Sequence, residues 1–160
     1  MNVNDKRIKK ILDSTKVIAC VGVSSNRIRP SYFVLRYLYF KNFRVIPINP
    51  VYAGEILFGE KVLSSISEID PEIKVDMLDI FRKSEAVLPI VEDALKHLRK
   101  LKTIWMQIGV HNEEAARLAS QQGLEVVQNK CPKIEYQRLF GELRMAGFNT
   151  GVISSRLILN

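Results

Sequence analysis

The segment after the first apolar run carries side chains that could hold a phosphate. In "VIACVGVSSNRIRPSY", residues 17–32, the sequence changes at Gly22 from apolar residues to hydroxyl, amide and guanidinium groups. Such a turn would lead into a helix N-terminus, where free backbone N–H groups and the helix dipole favour an anion. The side chains that could add donors are Ser24, Ser25, Arg27, Arg29 and Ser31. A simpler interpretation, in which Ser-Ser-Asn only makes a tight turn and caps the helix, explains the same residues equally well.

The turn lacks the features of a dinucleotide site. An NAD fingerprint needs G-x-G-x-x-G after the first strand and an acidic residue for the ribose after the second. Here no further glycine follows Gly22 at that spacing, and the second strand ends in Asn49 and Pro50, with the first acid at Glu55. NAD is therefore a minority prediction. An oxidoreductase that uses NADP, with an arginine of the turn on the 2′-phosphate, stays open as an alternative.

Titratable residues also follow the predicted strands, and His111 could act as a base. Catalysis would need such groups to converge as a nucleophile with its base or as a carboxylate pair, and the sequence does not pair them. We predict no catalytic residue, and expect Asp76 and Asp79 to accept backbone hydrogen bonds. The two cysteines and two histidines are too scattered for zinc, so no metal site is predicted.

The charge balance favours an anionic partner without choosing one. The chain of 160 residues has a formal net charge of +7, which suits a phosphorylated small molecule, nucleic acid or a membrane surface. No aromatic residues interleave with the basic clusters for base stacking, so a nucleic-acid-binding module is a minor alternative. No apolar run reaches the roughly 20 residues of a membrane helix, and the start lacks a signal-peptide core. We therefore expect a cytoplasmic protein without membrane contact.

Short apolar runs alternate with longer helical patterns along the chain. The predicted strands cover residues 16–22, 43–50, 73–81, 103–109 and 124–128. The predicted helices cover residues 30–41, 84–101, with a restart at Pro89, and 113–122. Asn42 and Gly123 suit left-handed C-terminal caps, and Asn112 suits an N-terminal cap. A loop with Gly54 and Gly59 is expected between the second and third strands.

Fully apolar strands separated by helices are typical of a parallel sheet that is covered on both faces. We predict an α/β fold with a doubly wound, mainly parallel five-stranded sheet and helices on both faces. A single domain is expected, with its core at about residues 14–140 and a tail at 141–160. Ligands of such sheets bind beyond the carboxyl ends of the strands. The polar segments that follow the strands should therefore gather at one edge.

Several blocks of the sequence resemble, in order, the small single-domain proteins of the CoA-binding-domain family. They are "VGVSSNRIRPSY", "VIPINP", "EILFGEKVLSSISEI", "VDMLDIFRKSEAV", "WMQIGVHNEEAA" and "CPKIEY", within roughly residues 14–140. The resemblance implies a Rossmann-like fold, similar to the CoA-binding domain of succinyl-CoA synthetase alpha subunits, with coenzyme A or an acyl-CoA as ligand. This chain departs from the usual pattern at Asn42, in place of glycine, and at Asn129-Lys130, in place of Asp-Arg.

The resemblance also implies a binding site, residue by residue. The turn that matches the phosphate-holding turn contains Gly22, Val23, Ser24, Ser25, Arg27, Arg29 and Ser31. The positions that match the later strand ends are Asn49 and Pro50 beside the adenosine, Phe81, Arg82 and Ser84 where the pantetheine arm leaves, and Gln107 with Gly109. A basic turn suits the pyrophosphate and 3′-phosphate of CoA better than a glycine-only turn does.

Cys131 follows the last strand and should lie at the ligand edge. Lys130 and Lys133 could lower the pKa of its thiol. One hypothesis is that Cys131 forms a mixed disulfide with the CoA thiol under oxidation. The alternative is an inert, half-buried cysteine in the turn before Pro132.

The resemblance implies binding and not ligation. Succinyl-CoA synthetase works through a phosphorylated histidine from a second domain, and this chain has no matching domain or histidine. We expect a carrier, a sensor or a partner of an acyl-CoA enzyme, as a monomer or a homodimer. Whether free CoA or an acyl-CoA is the ligand stays open.

Overall fold

The structure of the chain is a computed structural model that describes residues 1–141. Its helices are α1 (Val3–Ser14), α2 (Pro30–Phe40), α3 (Val87–His97), α4 (Glu113–Gln121) and α5 (Pro132–Leu139). Its strands are β1 (Val17–Val21), β2 (Arg44–Ile48), β3 (Ile56–Leu57), β4 (Glu60–Lys61), β5 (Met77–Ile80), β6 (Thr103–Met106) and β7 (Glu125–Val127). From residue 142 onward the predicted tail lies outside the described residues.

Five strands form one parallel sheet in the order β2-β1-β5-β6-β7. The register aligns their carboxyl ends, since Val21 lies opposite both Ile48 and Ile80, and Ile80 lies opposite Met106. The predicted α/β fold with a parallel five-stranded sheet is confirmed. β1 lies inside the sheet with β2 on one side and β5 on the other, which is the switch point where such folds bind ligands.

Helices cover both faces of the sheet, as predicted. α3 and α4 pack on one face, where alternate strand residues such as Leu78 and Ile104 are fully buried. α1, α2 and α5 pack on the other face, around Ile18, Met77 and Trp105. Because each fully buried apolar side chain contributes about 1.5–3 kcal/mol, these two layers fix the sheet and therefore its carboxyl edge. No helix within residues 1–141 has the length and apolar character needed to cross a membrane.

Each strand of the large sheet ends one to three residues before its predicted end. At two of these places a glycine with positive φ turns the chain out of the sheet, namely Gly22 at 92° and Gly109 at 84°. The polar residues that were expected at the ends of strands therefore lie in loops beyond the sheet. This places them where they can face a ligand.

The loop expected around Gly54 and Gly59 contains an antiparallel hairpin, β3–β4, that was not predicted from the sequence. Phe58 and Gly59 both have positive φ, at 50° and 79°, as a two-residue hairpin turn requires. The Phe58 ring packs against the rings of Tyr32 and Tyr39, at centroid distances of 5.2 and 5.6 Å, and these contacts help to stabilise the unusual backbone conformation.

The boundaries of α2 and α4 follow the predicted caps, whereas α3 begins at Val87 and ends at His97 instead of covering residues 84–101. Asn42 is left-handed, with φ 72°, and the Asn112 side chain accepts the Ala115 N–H at 2.9 Å. The predicted restart at Pro89 is wrong. Ser84 instead begins a short 3₁₀ turn, and the α-helix follows at Val87 with the proline inside its first turn, where the missing N–H has no helical partner to lose.

Candidate functional site

A cavity of about 790 Å³ lies at the carboxyl edge of the sheet, between the N-termini of α2 and α5. This volume is within the usual range of small-molecule sites. Eight of the predicted site residues line it: Gly22, Ser24, Arg29, Ser31, Asn49, Phe81, Gln107 and Cys131. The fold thus brings together residues from five separate loops, as expected for the segments that follow parallel strands.

The other predicted site residues lie beside this cavity and do not line it. They are Val23, Ser25, Arg27, Pro50, Arg82, Ser84 and Gly109. Val23 is fully buried in the core beneath the turn. Ser84 joins two neighbouring loops, because its hydroxyl accepts the His111 N–H at 3.0 Å and lies 3.5 Å from the Gly109 carbonyl. Arg27 is exposed to solvent.

Gly22 sets the geometry of the turn after β1. Its N–H donates to the Ile48 carbonyl at 2.9 Å, and its positive φ is one that residues with a Cβ rarely adopt. A Cβ at this position would lie 3.2 Å from the side chain of Arg82, which crosses over the turn. Both the backbone conformation and the available space therefore favour glycine.

The serines after Gly22 organise the entry into α2. The Ser24 N–H donates to Oγ of Ser31 at 3.0 Å, and Oγ of Ser24 accepts the Asn26 N–H at 3.0 Å and lies 3.2 Å from the Tyr52 hydroxyl. These bonds form the tight turn of the simpler interpretation. They do not cap the helix, because α2 begins after Arg29 without a side-chain acceptor.

The uncapped start of α2 differs from that of two helices outside the cavity. α1 and α4 are capped by Asn2 and Asn112, whose side chains accept backbone N–H groups. α5, which also faces the cavity, begins at Cys131 with no side-chain cap. Since the N–H groups of a first turn need acceptors, an anion in this cavity would find donors at both helix ends.

Asn49 ties the end of β2 to the turn after β1. Its side chain is 5% exposed, donates to the Val23 carbonyl at 2.8 Å and accepts the Val51 N–H at 3.0 Å. Arg82 donates to the same amide oxygen at 3.3 Å. A dinucleotide site has its ribose-binding acid near this position, but here an amide is used for internal hydrogen bonds.

Asp79 lies under the other end of the cavity, in the layer between the sheet and α5. Its carboxylate is fully buried, and Nε2 of Gln107 lies 3.0 Å from both of its oxygens. Burial raises the pKa of Asp79 to about 8, against the opposing effect of this hydrogen bond. The expectation of backbone hydrogen bonds holds for Asp76, which accepts the N–H groups of Lys16 and Val17, and is wrong for Asp79.

Cys131 lines the cavity but is only 7% exposed. Burial raises the pKa of its thiol, and the negative charge of Asp79 acts in the same direction. The N–H groups of Ile134 and Lys133 and the Lys133 charge oppose this without overcoming it. The prediction that neighbouring lysines lower the pKa of this thiol is therefore wrong. Lys130 is paired with another group, since its ammonium nitrogen lies 3.6 Å from the Glu135 carboxylate.

Trp105 holds the loop after β7 against the sheet. Its indole is fully buried, and its Nε1–H donates to the Lys130 carbonyl at 2.8 Å. This bond fixes the residue directly before Cys131. The position of the α5 N-terminus in the cavity therefore depends on a buried side chain of β6.

Nine residues that line the cavity, most of them apolar, were not predicted from the sequence. The residues missed are Pro30, Phe33, Val34, Val51, Tyr52, Ile108, Val110, Lys133 and Ile134. Phe33, Val51, Ile108 and Ile134 are each more than a third exposed. An apolar side chain in the first residues after a strand, such as Ile108 after β6, was the available signal, since loop positions are usually polar.

The described residues form no arrangement that is typical of catalysis. His111 and Glu113 pair at 2.8 Å, but both side chains are exposed and neither lines the cavity. Within residues 1–141 no three His, Cys, Asp or Glu side chains are grouped as a metal site would need. The cavity combines an apolar lining with hydrogen-bond donors and with the cations Arg29 at the start of α2 and Lys133 in α5.

These features define a Rossmann-like α/β protein with its cavity at the carboxyl edge of the sheet. The sequence profile of the family described as CoA binding domain matches residues 16–137. The chain belongs to this family. A relative from Bacillus subtilis (strain 168), the uncharacterized protein YneT, is 34% identical over 135 residues, which are 84% of this chain and 96% of that protein.

Two solved structures are similar to this chain, one closely and one more distantly. A Thermus thermophilus protein, cell-free ID.343, is 34% identical with a TM-score of 0.79, over 88% of this chain and 100% of that one. The dinucleotide forming Acetyl-coenzyme A synthetase 1 of Ca. Korarchaeum cryptofilum is 28% identical with a TM-score of 0.56, over 69% of this chain and 25% of that one. The chain is thus similar to a whole small protein and to a quarter of a large enzyme.

Proposed function

We propose that this protein binds coenzyme A or an acyl-CoA in the cavity at the carboxyl edge of the sheet. The observation that carries the proposal is the continuity of this cavity. It runs from the uncapped N-terminus of α2, with Arg29 beside it, to apolar residues at β6 and α5. Coenzyme A has the matching division into an anionic nucleotide and a long uncharged arm.

The polar end suits the phosphates. Ser24 and Arg29 line the cavity beside the first turn of α2, where N–H groups and the helix dipole favour negative charge. The guanidinium group can form two parallel hydrogen bonds to a phosphate. Such charge-assisted bonds are about twice as strong as those between neutral groups.

The apolar end suits the pantetheine arm or an acyl group. Ile108, Val110 and Ile134 line this part of the cavity, and the first and last of them are well exposed. Covering them would remove apolar surface from water at about 25 cal/mol per Å². A free phosphate or a short nucleotide would leave this surface uncovered.

The role that we propose is that of a carrier, a sensor or an accessory protein of an acyl-CoA enzyme. Family membership and the likeness to part of an acetyl-coenzyme A synthetase support CoA as the ligand. Burial raises the pKa of the thiol in the cavity lining, Cys131, which disfavours its use as a nucleophile. Binding without chemistry is therefore the function that the site supports best.

Calorimetric titration with CoA, acetyl-CoA, NADP and NAD tests the proposal. We expect micromolar or tighter binding of CoA and a loss of about tenfold in Arg29→Ala, since hydrogen bonds to charged groups are worth roughly 1.5–3 kcal/mol. Arg27→Ala is the matched control, because Arg27 is a neighbouring arginine that does not line the cavity, and it should change the affinity by less than about threefold. A preference for NADP, or no nucleotide binding, would contradict the proposal.

A further inference from the structure

Lys133 is a buried cation without an acidic partner. It is 8% exposed and lines the cavity from the first turn of α5. Within residues 1–141 no carboxylate lies within 4 Å of its ammonium group, and the contact that the structure shows is the ring face of Tyr37 at 5.6 Å. Buried lysines are rare unless they are paired, because removing the charge from water costs free energy that an aromatic ring only partly restores.

The carboxylates near Lys133 are engaged elsewhere. Glu135, two residues further on, is bound by Arg138 at 2.8 Å and lies 3.6 Å from Lys130. Asp79 is bound by Gln107. The cation on the neighbouring helix, Arg36, disfavours the charged form of Lys133 and so adds to the cost of burial.

Burial lowers the pKa of Lys133, with a partly opposing effect of Cys131. The described surroundings of Lys133 thus disfavour its charged form and supply no carboxylate to neutralise it. An anion that enters the cavity, which Lys133 lines, would supply the missing counter-charge. An anion there would also meet the N-terminus of α5, where, within residues 1–141, the only side chain that the Lys133 and Ile134 N–H groups face is the Cys131 thiol.

We propose that the Lys133 ammonium group binds an anionic group of the ligand inside the cavity. This position is separate from the turn at Gly22 and lies at the α5 end of the cavity. The anion is a phosphate or a carboxylate. In the second case it ends the acyl group, as expected where the arm lies at the α5 end, and an acyl-CoA with a terminal carboxylate would be preferred. In the first case it belongs to the nucleotide, and the nucleotide would then extend to the α5 end of the cavity. The inference rests on the proposed function.

The variants Lys133→Met and Lys133→Arg test it. Methionine keeps the length and apolar body of the side chain without the charge, and arginine keeps the charge. We expect Lys133→Met to bind CoA at least about tenfold more weakly, and Lys133→Arg to stay within about fivefold of the unaltered protein. Lys130→Met is the matched control, because it removes the same charge from an exposed neighbour, and should change affinity by less than about threefold.

Three further ligands assign the anion. Dephospho-CoA lacks the 3′-phosphate, so the effect of Lys133→Met should vanish with it if that phosphate is the partner. Succinyl-CoA and butyryl-CoA have acyl chains of equal length, with and without a carboxylate. If the carboxylate is the partner, the unaltered protein should prefer succinyl-CoA and Lys133→Met should lose that preference.

The stability of the free protein separates a ligand-binding role from a structural one. If the role of Lys133 is to bind an anion of the ligand, Lys133→Met should weaken CoA binding. The same variant should raise the melting temperature of the free protein, because an unpaired buried charge is removed. If the lysine serves only to pack on Tyr37, the same variant should lower the melting temperature and leave CoA affinity unchanged. The second result would overturn the inference and leave the proposed function standing.

Inorganic pyrophosphate provides a test that does not depend on CoA. We expect it to raise the melting temperature of the unaltered protein and of Lys130→Met by more than that of Lys133→Met. Because pyrophosphate can also bind at the α2 turn, the comparison is made with Arg29→Ala in all three proteins, and equal shifts there would overturn the anion site even if CoA did not bind. Failure of the proposed function would show instead as the absence of CoA binding to the unaltered protein.

Discussion

Asp79 makes the stability of the protein depend on pH. The pKa of this carboxyl group is about 8 in the folded protein, raised chiefly by burial, against 3.8 as its ordinary value. Between these values the folded protein holds a proton that the unfolded chain has released. The unfolded state therefore gains relative stability as the pH rises, and the free energy of unfolding falls by up to about 1.4 kcal/mol per pH unit from about pH 4 to pH 8.

We expect Asp79→Asn to remove this slope. The amide has nearly the same shape and cannot ionise, and Gln107 can rotate its own amide to keep a hydrogen bond. Urea unfolding at pH 5, 6, 7 and 8 measures the difference between the variant and the unaltered protein. Asp13→Asn, at an exposed carboxylate of α1, is the control and should keep the original slope. If the free energy of unfolding had the same pH dependence in Asp79→Asn as in the unaltered protein, Asp79 would ionise normally in the folded state.

Cys131 is expected to react slowly with oxidants in spite of its place in the cavity. The thiolate is the reactive form, and burial raises the pKa of this thiol. On treatment with CoA disulfide at pH 7, we expect little adduct of CoA mass on Cys131 by intact-mass spectrometry, and more as the pH rises. Rapid, saturable formation of the mixed disulfide at pH 7 would instead show that CoA binding drives the exchange.

At the scale of the elements, Ser31 joins helix α2 to the turn that precedes it. Its buried hydroxyl is the acceptor for the Ser24 N–H. We expect Ser31→Ala to lower the free energy of unfolding by roughly 1–3 kcal/mol, because the backbone donor loses its acceptor, and to weaken CoA binding through the displaced turn. Chemical denaturation measures the first effect and calorimetry the second.

Ser120→Ala, on the exposed side of α4, is the control for Ser31→Ala. It should stay within about 0.5 kcal/mol of the unaltered protein. If both serine variants had the same small effect, the hydrogen bond between Ser31 and Ser24 would not hold the turn.

The sequence predicted the elements that depend on long apolar patterns. The five strands of the large sheet and the caps at Asn42 and Asn112 follow from such patterns and from local turn chemistry, and the structure confirms them. The β3–β4 hairpin was missed because its strands have two residues each. Its turn at Phe58 is stabilised by tyrosines that are distant in the sequence.

The sequence predicted that the candidate site lies at the strand ends, but not which groups its side chains hydrogen-bond. Parallel topology places Asn49 and Gln107 at one edge, yet no pattern shows that their amides bind internal groups. The burial of Lys133 and the raised pKa of Cys131 also depend on packing between α2 and α5. Distances between helices that meet only in three dimensions cannot be derived from periodicity.

At the scale of the whole molecule, ligand binding should appear as a gain in stability. A ligand that binds only the folded state adds about 2.7 kcal/mol when its concentration is 100 times its dissociation constant. For a chain of this size that corresponds to a rise in melting temperature of roughly 5–10 °C. We expect this rise with CoA and no comparable rise with NAD, measured by differential scanning fluorimetry. A larger shift with NADP than with CoA would favour the oxidoreductase alternative.

Trp105 gives the protein an optical reporter at the candidate site. The chain contains one tryptophan, so all indole emission comes from a ring that is shielded from water and hydrogen-bonded to the carbonyl preceding Cys131. Its fluorescence spectrum should lie at short wavelength in the free state and respond when the start of α5 moves or gains a charged neighbour. Occupancy of the cavity can therefore be followed in solution without a label, and its kinetics by stopped flow.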